Sequence, residues 1–330
     1  MKTYMILGGN GVFGIQTAFY LLNHADPLKV ICVGRNPEKP RPFTLDLGKG
    51  DDRYAYHQIH VVYEQDRLFE LFDAEKPQVI INYAAQGEGA ASWSNSWRFF
   101  DTNATALAKM TEGLMSRDYL ERWIQIGTSE LYGAVDSPSS EDAPLRPTSP
   151  YAASKAAADM HLMSISPVLN FPMNILRPSN AYAPGQQLHR VIPKAVLLGL
   201  TGQKLPLHGG GKARKSYIHA RDLARAIHMT SENAPLGAVY NVGPPDPISI
   251  RDLVATIASE MNIPFEQLCE VSGERLGQDD QYWLDSSAIK RDLGWEMEIS
   301  LEDGIREMIA WGKDHLDFLS SARTDFILHA

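Results

Sequence analysis

Short apolar runs alternate with helix-period segments through the first half of the chain. Runs typical of buried strands occupy residues 3–7, 30–33, 59–62, 79–82 and 123–126, and helical patterns lie at about 66–74 and 97–115. Strands that alternate with helices predict a parallel sheet covered on both faces. We therefore predict an α/β, doubly wound fold whose ligands bind at the carboxyl ends of the strands.

The pattern changes after residue 178, where Pro- and Gly-rich loops separate the helical segments. Helices are predicted at about 221–231, 250–261 and 301–313, and residues 318–330 show no clear period. Such loops usually carry binding groups, so we expect this half to close over a substrate. The interpretation is one domain over 1–178, rejoined by about 221–242, and a smaller C-terminal α/β domain over 179–330.

A glycine-rich turn follows the first predicted strand. Gly8, Gly11 and Gly14 have the spacing G-x-x-G-x-x-G and open a helical pattern. This turn lets backbone amides approach a pyrophosphate at a helix N-terminus, so it predicts a dinucleotide site. The second strand is followed by Arg35 instead of the acid that usually holds the ribose of NAD. Arg35 favours NADP over NAD, and the alternatives are an arginine that stacks on adenine or faces solvent.

Tyr151 and Lys155 lie four residues apart in an Ala-rich helical pattern over 150–163. Ser149 suits the N-cap of this helix and Pro150 its first position. The two side chains would then share one helix face. An ammonium about 4 Å from the phenol contributes about 4 kcal/mol at a dielectric near 20, so we expect Lys155 to lower the Tyr151 pKa by about three units.

Composition limits the classes of partner. The 330 residues are 44% hydrophobic and carry a net charge of −9 without a Lys/Arg block, which argues against nucleic acid or an anionic membrane as partner. Cys32 and Cys269 lack metal-ligand spacing, so no metal site is expected. No apolar run is long enough to span a bilayer, and no targeting segment is expected before the first strand, which favours a cytoplasmic enzyme.

Further motifs carry a family resemblance. Asn82-Tyr83-Ala84-Ala85 and Thr128-Ser129-Glu130-Leu131-Tyr132-Gly133 lie between the glycine turn and Tyr151. With them the chain resembles the extended short-chain dehydrogenase/reductases, which have a Rossmann-type fold. The second half resembles the nucleotide-sugar 4,6-dehydratases, chiefly the dTDP-glucose branch, through four motifs: residues 179–184, 190–193, 221–222 and 275–282. Ser129 stands where that branch has an Asp, and the GDP-mannose 4,6-dehydratases are similar in showing Thr-Ser-Glu.

The resemblance implies conversion of an NDP-hexose into an NDP-4-keto-6-deoxyhexose. Tyr151 would remove the proton of the 4-hydroxyl, with Lys155 tuning the phenol and holding the cofactor ribose. Glu130 would take the C5 proton, Glu130 or Ser129 would donate to the departing water, and Thr128 would hydrogen-bond the oxygen at C4. Epimerases and decarboxylases of the same superfamily remain alternatives, as does a non-catalytic NAD(P)-binding sensor.

The resemblance also implies the binding residues. The expected cofactor contacts are Gly8, Gly11, Val12, Phe13, Gly14, Arg35, Ala84, Tyr151 and Lys155. The expected contacts to the nucleotide sugar are Gln86, Asn180, Arg190, Lys215 and Arg275, whose cations suit phosphate oxygens. Residues 86–93 depart from the His-containing loop of the dTDP-glucose branch, so an altered hexose pocket is expected. A homodimer through the helices at 97–115 and 150–163 is also implied.

Overall fold

A seven-stranded parallel sheet forms the centre of the molecule. The computed structural model describes residues 1–25, 28–40, 42–45, 47–48, 50–273 and 281–326. The sheet strands are β1 Lys2–Leu7, β2 Leu28–Gly34, β3 Tyr54–Gln58, β4 Val79–Asn82, β5 Arg122–Ile126, β6 Met173–Pro178 and β11 Val239–Val242. Their order is β11-β6-β5-β4-β1-β2-β3, with β1 in parallel register with both β2 and β4. This order confirms the predicted doubly wound α/β fold.

Helices cover both faces of the sheet. They are α1 Val12–His24, α2 Gln65–Glu75, α3 Gly89–Ser92, α4 Ser96–Phe100, α5 Ala106–Leu114, α6 Pro150–Leu169, α7 Val191–Leu200, α8 Ala220–Asn233, α9 Ile250–Glu260, α10 Phe265–Leu268, α11 Ser287–Leu293, α12 Leu301–Asp314 and α13 Leu316–Ser321. Successive strand side chains point to opposite faces. Tyr4 and Ile6 therefore pack with residues of α1 and α8, whereas Met5 and Leu7 pack with α2, α5 and α6.

A second core lies in the C-terminal half. Helices α7, α9 and α12 pack together around Val196, Ile257 and Met308. Three two-stranded sheets join this half: β7 Asn180–Tyr182 with β10 Tyr217–His219, β8 Leu205–His208 with β13 Cys269–Ser272, and β9 Arg214–Lys215 with β12 Ile248–Ser249. Two later elements return to the first core: α8 packs on α1, and β11 pairs with β6. Within the described ranges, no helix combines the length and apolarity that crossing a bilayer requires.

Two expected elements differ from the structure. The strand predicted at 59–62 is wrong, because the chain pairs with β2 through Tyr54–Gln58. β3 is an edge strand of mostly half-buried residues, so it lacks the apolar run of a central strand, and Ile59 and Val61 are buried just beyond its end. The single helix predicted at 97–115 is instead α4, a π-helical turn at Asp101–Thr105, and α5.

A buried ion pair joins the sheet to α6. Arg177 on β6 donates through Nε to Asp159 Oδ2 at 2.9 Å, and both side chains are almost fully buried. Arg177 Nη1 also donates to the Tyr132 hydroxyl at 2.8 Å and to the Glu141 carbonyl at 2.9 Å. Tyr132 in turn donates to Asn241 Oδ1 on β11 at 2.8 Å. One guanidinium therefore connects the central sheet, α6 and the segment after β5.

Asp159→Asn is expected to destabilise the protein strongly. The substitution leaves the Arg177 charge buried without its counter-ion, and breaking a buried pair in this way costs about 3–5 kcal/mol. The free energy of unfolding from urea titration measures the loss. Asp73→Asn is the matched control, because it breaks the more exposed Asp73–Arg117 pair and should cost no more than about 1 kcal/mol. Equal losses for the two variants would contradict the role given to the buried pair.

Candidate active site

The glycine turn is packed too closely for side chains. The amides of Gly8 and Gly9 both donate to the Val33 carbonyl at 2.9 Å, which fixes the turn against the end of β2. A Cβ at Gly14 would lie 2.6 Å from the Gly8 carbonyl oxygen, so only glycine lets α1 start this near the turn. The N-cap of α1, Gly11, has no capping side chain. The first-turn amides of α1 are therefore suited to bind a pyrophosphate, and the glycine turn fits a dinucleotide.

A cavity of about 1100 Å³ opens at the carboxyl ends of the strands and extends into the C-terminal half. All the predicted cofactor residues line it: Gly8, Gly11, Val12, Phe13, Gly14, Arg35, Ala84, Tyr151 and Lys155. The predicted substrate residues Gln86, Asn180, Arg190 and Lys215 line it as well, and Arg275 lies outside the described residues. Thr128 and Glu130 line it too. Ser129, the remaining catalytic candidate, is buried and is not among the residues that line the cavity.

Tyr151 is held at the start of α6. Ser149 caps this helix by accepting from the Ala152 amide at 3.1 Å, and Pro150 occupies the first turn. Burial and the nearby Glu130 carboxylate raise the pKa of the Tyr151 phenol above its ordinary value, while a hydrogen bond with Thr128 and the charge of Arg190 oppose this. The expectation of a lowered phenol pKa is therefore wrong.

The Lys155 ammonium does not lower the Tyr151 pKa as expected, because it bonds to a backbone carbonyl. Lys155 is buried one turn after Tyr151, and its Nζ donates to the Ile126 carbonyl at the end of β5. Burial lowers the pKa of Lys155 to about 8, and the negative charge of Asp159 partly opposes this. Desolvation thus disfavours the charged form of both Tyr151 and Lys155.

The Thr128 side chain hydrogen-bonds with the Tyr151 phenol and with the backbone of Glu130. A 3₁₀ turn at Ser129–Tyr132 follows β5, and Thr128 Oγ1 accepts from the Glu130 amide at 3.3 Å. Tyr132, at the end of the same turn, is held by Arg177. The turn therefore has a fixed position from which Glu130 can face Tyr151 across the cavity.

Arg35 and Lys39 form a cationic end of the cavity. Both line it beside the end of β2, and burial lowers the pKa of each, that of Lys39 to about 8. Asn10 of the glycine turn fixes this segment by donating to the Pro37 carbonyl at 2.8 Å and accepting from the Lys39 amide at 3.1 Å. Lys39 was not predicted from the sequence. Its only indication there was its position as a second cation shortly after Arg35.

The remaining substrate candidates lie on the C-terminal side. Lys215 is buried, with Nζ 3.4 Å from the centroid of the Tyr282 ring. Arg190 precedes α7, and its Nη1 is 3.1 Å from Glu88 Oε2. Glu88 was not expected to take part in the site. The only indication of Glu88 in the sequence was that residues 86–93 differ from the His-containing loop of the dTDP-glucose branch.

Sequence comparisons relate the chain to known proteins. A family model described as GDP-mannose 4,6 dehydratase matches residues 5–308. The dTDP-glucose 4,6-dehydratase of Streptomyces griseus is 28% identical over 319 residues, covering 96% of this chain and 95% of that protein. The trifunctional UDP-glucose 4,6-dehydratase/UDP-4-keto-6-deoxy-D-glucose 3,5-epimerase/UDP-4-keto-L-rhamnose-reductase RHM1 of Arabidopsis thaliana is 28% identical over 324 residues. These cover 94% of this chain but 47% of RHM1, so the chain spans about half the length of that relative.

Solved structures show the same fold. DesIV, a dTDP-glucose 4,6-dehydratase from Streptomyces venezuelae with NAD bound, has a TM-score of 0.88 at 24% identity, and the match covers 96% of this chain and 98% of DesIV. The family model spans most of the chain, which confirms the resemblance seen in the sequence. The protein belongs to the GDP-mannose 4,6 dehydratase family, within the nucleotide-sugar 4,6-dehydratases of the extended short-chain dehydrogenase/reductases.

Proposed function

We propose that the protein dehydrates an NDP-hexose to an NDP-4-keto-6-deoxyhexose. The observation that carries the proposal is the meeting of Thr128, Glu130, Tyr151 and Lys155 in one cavity beside the glycine turn. An epimerase needs only the oxidation at C4. A carboxylate facing the same phenol adds a base for the neighbouring carbon, which elimination requires.

The side chains divide the proton transfers between them. When bound, the oxidised nicotinamide dinucleotide supplies a hydride acceptor for C4, a positive ring that favours the Tyr151 phenolate, and the hydride later returned to C6. Tyr151 accepts the proton of the 4-hydroxyl, and Thr128 donates a hydrogen bond to the resulting carbonyl oxygen. Lys155 binds the cofactor ribose.

Elimination follows at C5 and C6. The 4-ketone acidifies the C5 hydrogen, which Glu130 removes as a proton and passes to the leaving 6-hydroxyl, so that water departs. C5 is finally protonated from solvent, and Tyr151 releases its proton to solvent. Water is the sole net loss from the sugar.

Incubation with UDP-glucose, dTDP-glucose and GDP-mannose tests the reaction. At least one should give a product lighter by one water that absorbs near-ultraviolet light in alkali. Glu130→Gln should reduce its formation by about 10²–10⁴-fold, because C5 loses its base. Glu70→Gln on the exposed face of α2 is the control and should retain activity. A product of unchanged mass would indicate an epimerase, and carbon dioxide released from a UDP-uronate would indicate a decarboxylase.

We also propose NADP as the preferred cofactor. Arg35 and Lys39 lie together at the end of β2, where a 2′-phosphate would be placed. The relative DesIV was solved with NAD, so this preference would distinguish the two proteins.

Arg35→Met should weaken NADP binding by about 10–100-fold and change NAD binding little, because a charge-assisted hydrogen bond contributes about 1.5–3 kcal/mol. Calorimetric dissociation constants for both cofactors measure the effect. Arg67→Met on α2 removes an exposed cation and serves as control. Tighter binding of NAD than of NADP by the unaltered protein would contradict the proposal.

A homodimer is proposed through the face formed by α3, α4 and α6, which pack together. Five large apolar side chains are exposed there or at the adjoining turn: Trp93, Trp97, Phe100, Met160 and Met163. Exposed apolar area of this kind is typical of a contact surface.

A further inference from the structure

Glu88 is fixed at the sugar end of the cavity by contacts from both halves of the chain. It follows β4 in a segment whose backbone is anchored at Gln86, which donates to Asn103 Oδ1 at 2.8 Å and accepts from Asn103 Nδ2 at 3.1 Å. From the C-terminal half, Arg190 Nη1 lies 3.1 Å from Glu88 Oε2, and Arg190 Nη2 donates to the Gly87 carbonyl at 3.1 Å. The Glu88 side chain is only 13% exposed.

The backbone next to Glu88 lies close to the Glu130 carboxylate. A Cβ placed on Gly89, the residue after Glu88, would be 3.9 Å from Glu130 Oε2. The negative charges of Glu88 and Glu130 both act on the Tyr151 phenol. Tyr151 is assigned to the 4-hydroxyl and Glu130 to C5 and C6, so the C5 substituent of a bound hexose lies within the field of both carboxylates.

We propose that Glu88 determines specificity at this position, by selecting a neutral hexose over the corresponding hexuronate. The inference rests on the proposed function for the orientation of the sugar. Its physical basis is that a uronate carries a carboxylate at C5, which two nearby carboxylates repel in a partly desolvated cavity. A neutral hydroxymethyl group can instead donate a hydrogen bond to them.

Arg190 strengthens the discrimination. Its guanidinium already pairs with Glu88, so a uronate could use this cation only by competing with a carboxylate fixed in place. His189 Nε2 also lies 3.7 Å from Glu88 Oε2, and burial together with the Arg190 charge lowers the pKa of His189. Both effects favour the neutral form of His189, which offers a uronate no charge.

The ratio of two dissociation constants tests the proposal. UDP-glucose and UDP-glucuronate are titrated calorimetrically into NADP-saturated protein that carries Tyr151→Phe, which prevents turnover. The nucleoside and diphosphate are common to both ligands, so the ratio of the two dissociation constants reports the effect of the charge at C5. The protein should bind UDP-glucose at least about tenfold more tightly, and Glu88→Gln should narrow this ratio by about tenfold. Glu70→Gln should leave it unchanged.

Two further variants separate the effect of the Glu88 charge from that of Arg190 and from a loss of folding. Arg190→Gln should retain the preference for UDP-glucose, and adding Glu88→Gln to it should still narrow the ratio. Glu88→Ala repeats the charge removal with a smaller side chain, and urea titration confirms that each variant folds. An unchanged ratio in both Glu88 variants would overturn the proposal, as would equal binding, or no binding, of the two sugars by the parent protein.

The two proposals fail in different ways. If the protein forms the 4-keto-6-deoxy product but the ratio of dissociation constants does not change in the Glu88 variants, only the role of Glu88 is refuted. A protein that forms no such product but whose ratio narrows in Glu88→Gln refutes only the dehydration.

Discussion

The position of the active site depends on a buried cation. Arg177 has almost no exposed surface, so its charge is satisfied by partners in the protein. Asp159 supplies the counter-charge from α6, and Tyr132 supplies a hydroxyl from the turn after β5. These elements carry Tyr151 and Lys155 on one side and Thr128 and Glu130 on the other. The requirement to satisfy one guanidinium thus fixes the phenol and the carboxylate relative to each other.

The same constraint explains the small residue at the end of β5. A Cβ at Gly127 would lie 3.0 Å from Arg177 Cγ and 3.3 Å from Asp159 Oδ2. The strand end lies directly against the ion pair, and Lys155 bonds to the preceding carbonyl of Ile126. Buried polar networks are favourable only when their members are satisfied, so this geometry has little freedom to vary. Burial also disfavours the charged forms of Tyr151 and Lys155.

Local patterns predicted much of this fold and site. The glycine turn, the central strands and the Ser149–Pro150 helix start are set by neighbouring residues, and the structure contains all of them. The edge strand β3 was misplaced because its half-buried side chains lack the apolar run of a central strand. The phenol pKa was misjudged because helical spacing brings Lys155 onto the right face without showing that its ammonium bonds to a carbonyl. Asp159, Lys39 and Glu88 were missed because their roles depend on partners distant in the chain or on burial, which sequence spacing does not report.

In the proposed reaction, hydride leaves C4 and returns to C6 of one sugar within one cavity. An NDP-hexose that carries deuterium at C4 tests this directly, with mass spectrometry and deuterium NMR of the product. Deuterium should appear at C6 of the 4-keto-6-deoxyhexose. Deuterium that stays at C4, or that is lost to solvent, would contradict it.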